Sequence, residues 1–218
     1  MQFKTDFVYS DRKTKQEYVW RKYQSILEGA SILDVGADEC FLKEYLQSTK
    51  SYFGIGLGGN PDLEYDLELG TLPFEDRKFD VVICLDVLEH LEQIHAIFDE
   101  CCRVAGKYFI LSLPNPFFSI YGAVCFQEYR PGRLTKFYGL PHERPADRHR
   151  WFFTAEEARS FVEYRAKKNN FGIVQMDHET GNHERNFLRK WARNLLFRRD
   201  FNQKNCFEST LWAILERK

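Results

Sequence analysis

The sequence predicts an α/β fold, a mostly parallel sheet with helices on both faces. Three observations lead there. Strand-like and helix-like patterns alternate between Ser31 and Leu113. The run Phe79–Leu85, FDVVICL, is apolar, β-branched and too short for a buried helix, so it reads as a central strand covered on both faces. After an irregular stretch the rhythm resumes with a helix announced by Thr154 and, three residues on, Glu157, the spacing of a capping box.

Taken in order, Asp11–Leu27 reads as an amphipathic helix with Tyr18, Tyr23, Ile26 and Leu27 on its apolar side and Gly29 ending it. Ser31–Val35 is a short strand that runs into Gly36, and a helix is expected over Glu39–Gln47. Tyr52–Leu57 is the second strand, followed by the turn signal GLGGN at Gly56–Asn60. Leu63–Leu67 is a short third strand, and LPFEDRK turns the chain into the Phe79–Leu85 strand. Glu92–Val104 carries Ile94, Ile97, Phe98 and Cys101 at helical spacing. Lys107–Leu113 is the next strand, stopped by Pro114–Asn115–Pro116. The Thr154–Lys167 helix, a strand at Phe171–Met176 and a last strand at Ser209–Leu215 complete the pattern. The chain reads as a single domain, 1–218, with two segments, 114–153 and 178–207, expected to cap the carboxyl edge of the sheet.

Composition excludes several classes. The 31 basic and 32 acidic residues leave a net charge of −1, which argues against a globally basic nucleic-acid binder. An apolar content of 44% with 20 Phe and 11 Tyr is enough to bury a core and rules out a disordered chain. None of the six cysteines forms a C-x-x-C pair, so no zinc or redox motif is expected and the thiols read as reduced and cytoplasmic. The opening MQFKTDFVYSDRK has acids and no apolar stretch of the kind a signal peptide carries.

The chemistry-bearing unit is the strand ending in Asp34–Val35–Gly36. Ligands of α/β sheets bind outside the carboxyl ends of strands where the strand order reverses, and glycine there lets the backbone approach them. Further on comes DLELGTLPFEDRKFDVVICLDVLEHL, from Asp66 to Leu91. On these residues the chain resembles the class I S-adenosylmethionine-dependent methyltransferases, in their small-molecule branch. The resemblance runs from about Ser31 to Asn115 and implies a Rossmann-like seven-stranded sheet of order 3-2-1-4-5-7-6 with the last strand antiparallel. It implies that Asp34 and Gly36 lie along the methionine part of S-adenosylmethionine. Asp66 and Leu67 would meet adenine, and Asp86 and Val87 would stand where cofactor and acceptor meet, with His90 beyond them.

Two departures accompany the resemblance. The family's G-x-G-x-G reads Gly36–Ala37–Asp38–Glu39–Cys40, which puts a carboxylate close to where the cofactor's own carboxylate belongs. The acid that grips the ribose is replaced by Gly56, with Asn60 or Asp62 as substitutes from the loop. Two functions follow. One is methyl transfer to a small-molecule acceptor, including an apolar or lipid-linked one; the other is a non-catalytic binding or scaffolding domain that has lost or altered its cofactor.

On the acceptor side, PHERPADRHRWFF at Pro141–Phe153 offers His149, with Asp147 two residues before it, as the candidate base, followed by His142 and His90. The plainer alternative is that Asp147, Arg148 and Arg150 form ion pairs that hold the segment while Trp151–Phe153 bury it. His95 reads as a surface residue. Pro116–Phe126 is apolar and reads as a flap or a pocket wall. Phe187–Phe197, FLRKWARNLLF, places Phe187, Leu188, Trp191 and Leu195 on one helical face and Arg189, Lys190 and Arg193 on the other, a pattern that suits either peripheral membrane contact or a lid. No nucleic-acid partner is expected.

Overall fold

In the computed structural model, residues 2–120, 142–143, 148–180 and 208–218 are described. The elements run α1 (Arg12–Leu27), β1 (Ser31–Val35), β2 (Ser51–Gly56), β3 (Leu63–Glu64), β4 (Phe79–Leu85), α2 (Ile94–Val104), β5 (Ala105–Pro114), α3 (Ala155–Lys168), β6 (Phe171–Thr180) and β7 (Glu208–Arg217). The seven strands form one sheet in the order β3-β2-β1-β4-β5-β7-β6. Pairing is parallel from β3 to β5, and β7 runs antiparallel to β5 and β6. The chain steps outward from β1 to β3, then returns to place β4 on the other side of β1. That reversal leaves a crevice at the carboxyl ends of β1 and β4.

Strand side chains alternate faces, and the alternation builds two cores. Ile32, Val81, Ile83, Ile110, Trp212 and Ile214 face α1, whose Tyr18, Val19, Tyr23, Ile26 and Leu27 cover them. Their neighbours Leu33, Val82, Cys84, Phe109, Leu111 and Ala213 face the opposite way, under α2 and α3. Each helix start is fixed by side chains. Asp11 and Thr14 form a reciprocal cap on α1. Thr154 and Glu157 do the same for α3, as their spacing predicts. Gln93 gives α2 no side-chain cap. Instead the Glu68 carboxylate accepts from the Glu92 and Gln93 amides at 3.1 and 3.3 Å.

Two expected elements are corrected. The helix over Glu39–Gln47 is only a 3-10 turn at Phe41–Glu44. Asp38 and Cys40 both have left-handed backbone, φ 50° and 53°, so the chain cannot enter a regular helix through them. The third strand is cut to Leu63–Glu64, because Asp66 caps a separate 3-10 turn, Leu67–Leu69, through its bond from the Glu68 amide at 2.9 Å. Segments 121–141, 144–147 and 181–207 lie outside the described residues. With them lie Asp147, Cys125, Cys206, the expected amphipathic segment Phe187–Phe197 and most of both expected cap segments; residues 116–120 are described and helical. Cys40, Cys84, Cys101 and Cys102 are free and buried. Among the described residues no helix is long and apolar enough to cross a membrane.

Asp34 is 2% exposed at the heart of this fold, and the Tyr52 hydroxyl donates to it at 2.7 Å. Burial pushes its carboxyl up from the ordinary 3.8 to about 6, and the Tyr52 bond only partly opposes that. Between those two values the folded chain holds the Asp34 proton and the unfolded chain does not. Stability therefore falls as pH rises through the window, by on the order of 3 kcal/mol from this group. Denaturant titrations at pH 4 and pH 6 should show that Asp34→Asn removes this part of the slope. An unchanged slope would mean that Asp34 is not the group responsible.

Candidate functional site

The crevice at the carboxyl ends of β1, β2 and β4 holds a cavity of about 380 Å³. That is the size range of small-molecule sites. Its floor is backbone. Gly36 has φ 79°, and a Cβ there would come within 2.2 Å of the Val87 side chain. Gly56 has φ 157° and lies against Gly36, where a Cβ would meet the Gly36 Cα at 3.2 Å. The Gly36 amide donates to the Ile55 carbonyl at 2.7 Å, tying the ends of β1 and β2 together. Glycine is needed at Gly36 on both grounds, space and backbone conformation.

Of the expected cofactor residues, Gly36, Gly56, Asp66, Leu67, Asp86 and Val87 line this cavity together. Asp34 does not; it sits behind the wall, bonded to Tyr52. Leu67 is buried, and Asp66 is exposed with one carboxylate oxygen on the Glu68 amide. No acid stands at the end of β2. The Asp62 carboxylate is taken by the Gly54 amide at 2.8 Å and by Lys43, and neither Asp62 nor Asn60 lines the cavity.

Asp38 does line it, and α1 supplies the counter-charge. Arg12 forms an ion pair with Asp38, and the Asn60 amide bonds the Asp38 carbonyl at 2.9 Å. Gly59 packs so closely on Asp38 that a Cβ would fall 2.3 Å from its carbonyl carbon. The loop thus keeps left-handed backbone at Gly36, Asp38 and Cys40, the three places where the family's pattern puts glycine, with glycine at only the first.

α1 contributes two more residues. Lys15 is 8% exposed; it forms an ion pair with Asp86, bonds Ser112 Oγ at 3.2 Å and lies 4.9 Å over the Trp212 ring. Ser112 in turn donates to Asp86 at 2.7 Å. Burial pushes the Asp86 carboxyl up, but the charge and hydrogen bond of Lys15, with the Ser112 bond and the nearby His149, outweigh it and hold it below the usual carboxylate range. Gln16 also faces the cavity, and its side-chain carbonyl is buried with no hydrogen-bond partner among the described residues. A buried acceptor of this kind calls for a donor, such as the amine or hydroxyl of a ligand. Gly36 and Gly56 as a close backbone floor, Leu67 with Asp66, and the waiting Gln16 carbonyl together fit a nucleoside-bearing, amino-acid-bearing ligand; only the ribose acid is lacking.

The acceptor-side candidates divide. His90 lines the cavity, and His149 packs against it with ring centroids 4.3 Å apart. His142 is exposed, and Asp147 is outside the described residues. The ion-pair role foreseen for Arg150 is present, to Glu92 at 2.9 Å and Glu68 at 3.4 Å. His95 is exposed, its ring edge-on to Trp151 and Phe161. Sequence reasoning missed Arg12, Lys15, Gln16 and Glu89. A signal existed for Lys15: it falls on the apolar face of α1, one turn before Tyr18 and Val19.

Residues 56–110 match the family model described as a methyltransferase domain. No curated protein matches significantly. Many solved structures share the fold. An S-adenosylmethionine-dependent methyltransferase from Clostridium acetobutylicum superposes with a TM-score of 0.57 at 13% identity, covering 95% of this chain and 92% of that one. One from Listeria monocytogenes, described as a methyltransferase of the same dependence, gives 0.56 at 14% identity, covering 94% and 98%. The magnesium protoporphyrin IX methyltransferase of Synechocystis, solved with S-adenosylhomocysteine bound, gives 0.55 at 16% identity, covering 94% and 83%. In strand order and overall fold the chain is thus similar to these S-adenosylmethionine-dependent methyltransferases, and about a quarter of it, residues 56–110, matches the methyltransferase-domain model.

Proposed function

We propose that the protein transfers a methyl group from S-adenosylmethionine to a small-molecule acceptor, in the cytoplasm. The observation that carries this reading is the convergence of Gly36, Gly56, Asp66, Leu67, Asp86 and Val87 on one cavity, although they come from four separate stretches of sequence. When bound, S-adenosylmethionine supplies an electrophilic methyl group on a sulfonium, so the protein's task is alignment and, for a hydroxyl or amine acceptor, proton removal. In this reading Leu67 covers the adenine ring and the second oxygen of Asp66 accepts from its exocyclic amine. The Gly36–Ala37 backbone supports the methionine part, and Asp34 acts from behind by holding Tyr52 and the end of β1. Arg12 neutralises Asp38 beside the cofactor's carboxylate. His90, supported by His149, is the group placed to take a proton at the mouth. The four carboxylates on the cavity wall, Asp38, Asp66, Glu68 and Asp86, disfavour a phosphate backbone, in keeping with a small acceptor rather than a nucleic acid. The cytoplasmic assignment rests on the four buried free thiols.

A second reading, a domain that keeps the fold without transferring methyl groups, draws on one specific observation: β2 ends in Gly56 with no acid to hold the ribose. Calorimetry separates the two. Cofactor binding in the micromolar range supports transfer, and no heat at millimolar cofactor supports the second reading.

Two variants test the assignments. Asp66→Asn keeps the acceptor on the Glu68 amide but sets an amide against the adenine amine. It should weaken cofactor binding about tenfold to a hundredfold, the loss expected for a charge-assisted hydrogen bond of about 1.5–3 kcal/mol. An unchanged dissociation constant would remove Asp66 from the site. Asp38→Gly relieves a left-handed non-glycine residue, worth about 1 kcal/mol, and leaves Arg12 free to meet a carboxylate. Tighter cofactor binding is expected; weaker binding would mean that Asp38 itself makes a favourable contact.

A further inference from the structure

We propose that Glu89, His90 and His149 form a binding site for one divalent first-row transition-metal ion beside the mouth of the cavity. This goes beyond methyl transfer, since the ion would be held whether or not cofactor binds; with the ion bound, His90 Nε2 is a ligand and no longer the proton acceptor. The three side chains each bring one donor atom, and these atoms lie within 4.8 Å of one another. His90 Nε2 stands 3.5 Å from Glu89 Oε1, and His149 Nε2 stands 3.8 Å from the same oxygen. Both distances are longer than a well-made hydrogen bond. They are close to the separation of roughly 3–3.6 Å that two donors show when each sits about 2.1 Å from a shared ion at angles between square and trigonal.

The surroundings hold these donors in place. Glu89 and His90 belong to the 3-10 turn Leu88–His90 that follows β4. His149 arrives on a segment tied to that turn by its backbone. The Arg150 and Trp151 amides both donate to the Glu89 carbonyl, at 2.8 and 3.3 Å. The Arg150 guanidinium bonds the His90 carbonyl at 2.9 Å, and the Trp151 indole bonds the Leu91 carbonyl at 2.7 Å. Glu89 itself is 0% exposed.

Two imidazoles with one carboxylate favour zinc, cobalt, nickel, iron or manganese over magnesium and calcium, which prefer all-oxygen ligands. Three protein donors leave at least one position open, the pattern of a site that takes an exogenous ligand rather than a purely structural one. His90 is the donor that also lines the cavity, so the open side lies toward it. Asp86, three residues earlier, is engaged by Lys15 and Ser112 and is not counted as a ligand.

The test uses the full chain stripped with a chelator and titrated with cobalt(II), followed by its visible absorption, with zinc then added to displace it. One equivalent of cobalt should bind, zinc should displace it, and a hundredfold excess of magnesium should not. His90→Gln and His149→Gln should each weaken cobalt binding at least tenfold, and Glu89→Gln should change the spectrum. Zinc should raise the melting temperature of the native chain and leave that of His90→Gln unmoved. The half-buried His90 keeps the test decisive if substitution at buried Glu89 prevents folding. Absence of binding by the native chain, or equal binding by native and His90→Gln chains, would overturn the proposal.

Discussion

The buried contact between Lys15 and Asp86 is the constraint on which the rest of the site depends. Taking a lysine ammonium out of water costs several kcal/mol, and the cost is offset only if a counter-charge and further polar partners are in reach. Here Asp86, Ser112 Oγ and the faces of Trp212 and Tyr9 surround the ammonium. Those partners come from the residue after β4, the end of β5, the middle of β7 and the segment before α1, so the contact fixes the first helix against the carboxyl edges of β4 and β5. With Lys15 fixed, Arg12 and Gln16 on the same helix are carried to the cavity wall. A second buried lysine, Lys22, repeats the device two turns further on, with Asp177 at 3.0 Å and the Tyr18 hydroxyl at 3.1 Å. The helix is therefore held by charge at two points along an apolar face, which ties its rotation as well as its depth.

The same edge shows how a loop can hold left-handed backbone at residues other than glycine. Asp38 and Cys40 adopt left-handed backbone at a cost of about 1–2 kcal/mol each. Local partners make that tolerable: Arg12 on the Asp38 carboxylate, the Asn60 amide on its carbonyl, and Gly59 leaving room beneath it. The conformation follows from the requirement that β1 turn sharply under the cavity, and it comes at the expense of the helix that usually follows. Only Leu42 of the Phe41–Glu44 turn is buried, too little apolar surface to sustain a longer helix there.

Legibility in the sequence follows range of interaction. Strands buried on both faces were readable from runs such as Phe79–Leu85, and α3 from Thr154 and Glu157, because those signals are local. The strand order was legible only through the family resemblance, since no spacing states which strand lies beside which. The expected helix at Glu39–Gln47 is absent because Asp38 and Cys40 have left-handed backbone, and the partners that make this tolerable at Asp38, namely Arg12, Asn60 and Gly59, are distant in sequence. The candidate site divides in the same way. Gly36, Asp66, Leu67, Asp86 and Val87, which line the cavity, were named from motif residues, whereas Arg12, Lys15 and Gln16 reach it by tertiary packing of a helix whose pattern looked merely amphipathic. Asp34 was read as a contact residue; its carboxyl lies behind the cavity wall, buried on the Tyr52 hydroxyl.

The short turn after β4 explains how one stretch of chain can serve three neighbours. A 3-10 turn repeats every three residues, so consecutive side chains leave it about 120° apart. Leu88 goes into the core between the sheet and α2, Glu89 is buried against His149, and His90 reaches the cavity. Val87, just before the turn, packs over Gly36, and Asp86, in left-handed backbone at φ 51°, turns toward Lys15. An α-helix beginning at Asp86 would have stacked Asp86 and Glu89 on nearly the same side and brought two carboxylates together. The left-handed residue followed by a 3-10 turn separates them, assigning one to the ammonium of α1 and the other to the two imidazoles. The backbone irregularity at the end of β4 is thus what allows two acidic side chains, three residues apart, to be buried or half-buried without repelling one another at the mouth of the cavity.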